Sequence, residues 1–240
     1  MASGEAAAQA LPDGVHHYDN AKQVPVQLSK YWRQRHEIFS KYDEGVWMTD
    51  DAWFGVTPEP VAKKIADHVA TASKDKTVMI DCFAGAGGNT IAFALSGRWN
   101  QIFAVEKDEK TLACAKHNAE VYGVSKKIFW IHGDIFQVLQ TRLKAALKKA
   151  VVFGSPPWGG PTYINYGIFD VEMMHPYSMK ALYGSFSATA THVVLFLPRS
   201  SDLKQIAKYA RKDEKLKVTH YCMHSFSKAL CVFFGQFETK

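Results

Sequence analysis

Cysteine is scarce and unpaired: Cys82, Cys114, Cys222 and Cys231 form no C-x-x-C pair, so the zinc-ribbon and dithiol readings that such spacing supports fall away. Most sit in apolar surroundings and read as reduced core residues. Long apolar runs are missing too. No stretch reaches the roughly 18 apolar residues that a spanning helix needs, and the first residues lack the charged-then-apolar layout of a signal peptide. A soluble, intracellular protein is therefore expected. Acidic residues are the minority, 23 against 29 Lys and Arg, giving a formal charge of +6 and a pI near 9.0. That excess admits an anionic partner without requiring one.

What is present is enough for one substantial core and too little for two large domains: 240 residues, 47% of them hydrophobic. Residues 1–22 are rich in Ala, Gly and polar residues without an apolar period, and read as a disordered tail. Residues 23–73 form a helical extension. In VQLSKYWRQRHEIFSKYDEG the aromatic residues recur at three- and four-residue spacings, which predicts one helix with an aromatic face. A second helix begins at Thr57-Pro58-Glu59, with Thr as cap and Glu complementing the dipole.

Residues 74–240 alternate strands with amphipathic helices. The segments TVMIDCF, QIFAVE, IFWIHGD, VVFGSPP and HVVLFLP predict parallel strands of βαβ units, covered on both faces. KLKVTHYCMH and ALCVFFGQF are joined by the short polar segment SFSK, too short for a crossover helix, and so close the sheet as an antiparallel hairpin. The fold class is α/β: a Rossmann-like, seven-stranded, mostly parallel sheet with a C-terminal antiparallel hairpin and an N-terminal helical extension.

Ligands of such sheets bind beyond the carboxyl ends of the strands. The first strand runs into DCFAGAGGNT, whose glycines (Gly85, Gly87, Gly88) permit a tight turn and a close approach to an anion at the helix start. A dinucleotide fingerprint would place glycine at position 90, which is Thr90. The second strand ends at Glu106, suited to ribose hydroxyls. The third ends at Asp134, suited to an adenine amino group. Either acid can instead cap a loop or helix. Taken together they describe a pocket for an adenosine with an anionic tail and no pyrophosphate, which fits S-adenosylmethionine.

This Gly-rich turn, the acid after it and the terminal hairpin resemble the class I methyltransferase fold. Ser155-Pro156-Pro157-Trp158 is similar to the Pro-Pro-aromatic motif of amino-methylating enzymes. More narrowly, WFGVTPE, DCFAGAGGNTIAFAL, HNAEVYGV, SPPWGGPTY and FLPRS resemble the trimethylguanosine synthase family, from about Lys30 to the last strand. The resemblance implies methyl transfer from S-adenosylmethionine to N2 of 7-methylguanosine RNA caps. Two steps yield the 2,2,7-trimethyl cap of small nuclear and nucleolar RNAs, with S-adenosylhomocysteine as product. It also implies a nuclear enzyme, acting as a monomer, with adaptors on the RNA particle possible and no membrane.

For the donor it implies Asp81, Gly85, Gly87, Asn89, Thr90, Glu106 (where the family has Asp), Asp134, Thr57, Phe39 and Asn118. For the acceptor it implies Ser155, Pro156 and Trp158, with Lys30 and Arg199 on cap phosphates and Trp53 and Tyr163 as further contacts. Phe39 and Trp53 read equally as core aromatics, Asn118 as a helix-surface amide and Thr57 as a helix cap. Independently, acceptors at Ser155 and Pro156 suit an exocyclic amine whose lone pair is delocalised, since they orient it for in-line attack. Trp158 suits a cationic base. An adenine-N6 or other amino methyltransferase, and a non-catalytic cap-binding module, are the competing readings. No metal is expected: His220, Cys222 and His224 share a predicted strand face without further ligands. The run from Lys204 to Lys217 reads as a solvated helix face.

Overall fold

The computed structural model describes residues 11–159, 167–212 and 214–238. Seven strands, β1 Val78–Asp81, β2 Gln101–Glu106, β3 Ile128–His132, β4 Ala150–Gly154, β5 His192–Pro198, β6 Lys217–Met223 and β7 Phe226–Phe234, lie in the order β3-β2-β1-β4-β5-β7-β6. β1 to β5 pair in parallel; β7 runs antiparallel to β5 and to β6. Every residue of β1, β4 and β5 is buried, because helices cover both faces; hence their uninterrupted apolar runs. The order reverses between β1 and β4, which opens a crevice at their carboxyl ends.

The hairpin turn is tighter than expected. Phe226 to Lys228 of the SFSK segment already belong to β7, and the loop is His224-Ser225, with φ of 51° and 65°. Two consecutive left-handed residues make the twist of a two-residue hairpin turn.

After the glycine loop come α5 Gly88–Leu95, α6 Glu109–Val121 and α7 Ile135–Thr141; α8 Met179–Ser187 precedes β5, and α9 Leu203–Ala207 follows it. The sequence did not point to α8, whose cap is Ser178, accepting from Ala181 N–H. α9 stops at Ala207, so the basic run is a short helix followed by turns rather than one helix face.

The extension also differs from expectation. Its aromatic segment is broken into α1 Ser29–Trp32 and α2 Arg35–Ile38, flanked by 3-10 turns at Val26–Leu28 and Tyr42–Glu44; α3 Asp50–Gly55 and α4 Glu59–Val69 follow. The break lets the chain wrap the domain, with Leu28, Ile38, Phe39 and Tyr42 entering one apolar cluster with Met79, Ile102 and Phe233 of the sheet. Packing of these side chains outweighs helix propensity.

Residues 11–22 are likewise not a free tail. Val15 is buried, His16 pairs its backbone with Met48, Tyr18 N–H donates to the Tyr42 hydroxyl at 3.0 Å, and Trp32 Nε1 donates to Tyr18 O at 3.2 Å. Polar composition concealed a strap whose contacts are mostly hydrogen bonds. Residues 1–10 lie outside the described residues.

Candidate active site

Asp81, at the end of β1, is fully buried. Its Oδ2 accepts from the Thr90 hydroxyl at 2.6 Å and its Oδ1 from Phe83 N–H at 3.3 Å. Burial pushes its carboxyl up to about 6, with the Glu106 charge adding to the rise and the two hydrogen bonds opposing it. Thr90 thus ties α5 to β1 where a dinucleotide fold would have glycine.

Between them the loop turns on Gly85 (φ 54°) and Gly87 (φ 97°), the latter at the N-cap of α5. A Cβ on Gly85 would meet no atom within 4 Å, so that side of the loop is open. One on Gly88 would lie 3.1 Å from Thr57 O, so glycine there lets the extension press against the helix start.

Glu106 reaches back over this loop. Its Oε2 accepts from Gly85 N–H at 2.9 Å, and its Oε1 from Lys107 and Asp108 N–H at 2.8 and 2.9 Å. Asp134 caps α7, accepting from Phe136 N–H at 3.0 Å, while its other oxygen takes Lys107 Nζ at 3.4 Å and the Tyr177 hydroxyl at 3.5 Å. Both acids therefore flank the crevice, and Asp134 also performs the capping role.

Tyr177 packs edge-on to Phe136 at 5.0 Å and tilted to Phe83 at 6.0 Å. These three aromatics gather beside Asp134 at the crevice and were missed from the sequence. Phe83 and Phe136 each stand two residues past a site acid, a signal that was there to be read; Tyr177 arrives from a distant loop.

Several expected donor contacts are instead structural. Thr57 does not cap α4, whose N-cap is Pro58; its buried hydroxyl accepts from Asn89 Nδ2 at 2.9 Å. Asn118 is fully engaged: Oδ1 accepts from Trp47 N–H at 2.7 Å, and Nδ2 donates to Trp47 O and Ala86 O, each at 2.9 Å. It clips the extension to the glycine loop. Phe39 is buried and packs on Tyr122 at 6.1 Å. Trp53 is buried, with Nε1 donating to His16 Nε2 at 3.0 Å. The core reading of both aromatics is the one the structure realises: the ordered strap reaches Trp53 through His16, and Phe39 packs against Tyr122.

Asn89 Oδ1 is buried without a hydrogen-bond partner among the described residues. An orphaned acceptor beside an open glycine loop, with two carboxylates along the crevice, fits a ligand that carries an ammonium group, ribose hydroxyls and an adenine amine. S-adenosylmethionine has all three.

On the acceptor side, β4 ends in Gly154, where a Cβ would stand 2.9 Å from the Phe186 ring. Ser155 is half-buried, Pro156 buried and Pro157 exposed. The Trp158 indole N–H donates to Phe196 O at 3.2 Å, and its ring lies tilted on Phe196 at 5.5 Å. Its position bridges the apolar clusters on both sheet faces. Lys30 and Arg199 are exposed, and Arg199 Nη1 donates to Ser227 O at 3.2 Å. Tyr163 lies outside the described residues.

Among the described residues no group of His, Cys, Asp and Glu could hold a metal. His224 sits in the turn, bonded to Glu37 at 3.0 Å, and His220 bonds Ser227 at 3.1 Å. Cys82, Cys114 and Cys231 are buried as expected, whereas Cys222 is exposed on β6.

Residues 76–237 match the family model for RNA cap guanine-N2 methyltransferase. The chain is 36% identical over 213 residues to trimethylguanosine synthase of Schizosaccharomyces pombe, covering 88% of this chain and 87% of that one. It is 34% identical over 216 residues to trimethylguanosine synthase of Saccharomyces cerevisiae, covering 88% of this chain and 68% of that one. A solved structure from Porphyromonas gingivalis W83, described as a candidate methyltransferase, matches with a TM-score of 0.63 at 15% identity, over 89% of this chain. This chain spans 49% of that one, about half its length, and the likeness is one of fold.

Proposed function

The chain belongs to the RNA cap guanine-N2 methyltransferase family, and from that premise we propose that it dimethylates N2 of 7-methylguanosine caps in two steps, giving the 2,2,7-trimethyl cap. The transfer is S-adenosylmethionine-dependent. Trp158 carries this reading: its indole is pinned by Phe196 O beside Ser155, whose hydroxyl has no hydrogen-bond partner among the described residues.

The donor's place is assigned as follows. Gly85 and Gly87 allow close backbone approach, Glu106 takes the ribose hydroxyls, Asp134 takes the adenine amine, and Asn89 Oδ1 takes the ammonium group. Asp81 and Thr90 shape the loop from behind. Thr57 and Asn118 position Asn89 and the extension. When bound, S-adenosylmethionine supplies an electrophilic sulfonium methyl and yields S-adenosylhomocysteine.

The acceptor amine is weakly nucleophilic because its lone pair is shared with the guanine ring. Ser155 Oγ and the Pro156 carbonyl accept its N–H groups and favour the pyramidal form needed for in-line attack. Proline at 156 and 157 restricts the backbone that holds them. The ammonium product is a strong acid and loses its proton without a dedicated base; Asp81 is sealed behind the loop and is not assigned that role. Trp158 stacks on the cationic 7-methylguanine, and Lys30 and Arg199 hold the cap phosphates. Small nuclear and nucleolar RNAs in the nucleus are the proposed substrates, met by a single copy of the chain.

The test uses labelled S-adenosylmethionine with 7-methyl-capped, unmethylated-capped and uncapped RNA. Label is expected on the 7-methyl-capped RNA. Label on uncapped RNA alone would favour an adenine-N6 or other amino methyltransferase, and cap binding without transfer would favour a binding module.

A further inference from the structure

Phe226 is 70% exposed, the most exposed aromatic side chain among the described residues. It opens β7 immediately after the left-handed His224-Ser225 turn, so it is presented by a tight, directional hairpin rather than a loose loop. A stack of contacts connects it to the acceptor site. Trp158 Nε1 bonds Phe196 O on β5, Arg199 follows three residues later, and Arg199 Nη1 bonds Ser227 O on β7. Three strand residues span about 10 Å and adjacent strands lie about 5 Å apart. Phe226 therefore stands one triphosphate bridge and a nucleotide away from the base held by Trp158.

Charge at the tip favours an anion. Lys228 stands two residues on, at the bulge where β7 carries one residue more than β6, and forms no ion pair among the described residues. Arg199 is exposed beside it, and among the described residues its guanidinium is anchored to a backbone carbonyl alone. Glu37, the acid that touches the tip, is engaged by His224 Nε2 at 3.0 Å, which also braces the hairpin against α2. An exposed aromatic face flanked by cations is the composition of a single-stranded nucleic acid platform.

We propose that the β6–β7 hairpin tip binds the RNA chain that follows the cap, with Phe226 stacking on a base and Arg199 and Lys228 facing phosphates. This rests on the cap-methylation reading and extends the acceptor site beyond the cap itself.

Steady-state kinetics of the wild type and Phe226→Ala on 7-methylguanosine diphosphate and on a short 7-methyl-capped RNA test it. Because the ring is exposed, its removal should leave thermal unfolding and turnover of the diphosphate unchanged. On capped RNA, kcat/KM is expected to fall about 5- to 150-fold, mainly through KM, the factor that about 1 to 3 kcal/mol of stacking represents. Phe226→Trp is expected to restore it. Unchanged kinetics on capped RNA overturn the proposal and leave the ring to a protein partner; equal losses on both substrates overturn it too. A wild type that methylates neither substrate sinks the cap reading instead. In that case fluorescence anisotropy with uncapped single-stranded RNA decides the surface: equal affinity in wild type and Phe226→Ala overturns it.

Discussion

Trp158 stands on two prolines, and its indole N–H is spent on the Phe196 carbonyl, so the ring is oriented before any base arrives. Replacing it with alanine removes the stack while the donor crevice keeps all its groups. Trp158→Ala is expected to weaken cap affinity by about 1 to 3 kcal/mol with donor affinity nearly unchanged, measured by calorimetric titration of each ligand. Unchanged cap affinity would show that the stacking role is misassigned. At this scale the sequence was informative wherever a residue type stood in a fixed relation to a strand end: Asp81, Glu106, Asp134 and Ser155 to Trp158 all fall at the crevice. It was uninformative for Asn118, Phe39 and Trp53. A family motif marks that such positions matter, but whether a side chain meets ligand or protein depends on what packs over it.

Asn118 shows this at the level of elements. Three hydrogen bonds from one amide, to Trp47 N–H, Trp47 O and Ala86 O, join α6, the extension and the glycine loop. Cutting them leaves buried backbone groups unpaired, at a cost of about 1 to 3 kcal/mol for each. Asn118→Ala is expected to lower the unfolding temperature and weaken donor binding together, with cap affinity reduced less. Loss of donor binding at unchanged stability would mean that the amide touches the donor after all. The extension's path was not legible beforehand because its aromatic spacing satisfies one long helix as well as two short ones. The choice is made by burial of Leu28, Ile38 and Tyr42 against a sheet whose strands lie from about fifty residues on.

Across the whole molecule the half-buried carboxyl of Glu59 and the buried carboxyl of Asp81 set opposite pH responses. For Glu59, burial works to raise its pKa, but bonds from Lys63, Tyr122 and Ser40 together outweigh it and bring the group down to about 2 from 4.5. It contributes stability above pH about 4.5 that is lost as pH falls toward 2. Asp81, raised to about 6 from 3.8, contributes in the other sense: its share is full below pH about 4 and is lost as pH rises through 6. Urea unfolding measured against pH should therefore show Glu59→Gln flattening the limb below 4.5 and Asp81→Asn flattening the decline between 4 and 6. Slopes identical to the wild type in either variant would contradict the assignment for that group.

By itself the sequence determined the alternation of strands and helices, the order in which acids and glycines meet the strand ends, and the Pro-Pro-Trp motif, because these depend on local periodicity and on residue types at fixed offsets. Only the tertiary structure decided that residues 11–22 strap the extension, that Trp53 and Phe39 are core, that Asn118 is a clip, and that Phe226 stands exposed at the hairpin tip. Those outcomes hang on contacts between segments far apart in the chain, where burial and hydrogen-bond pairing are settled by the neighbours that folding brings.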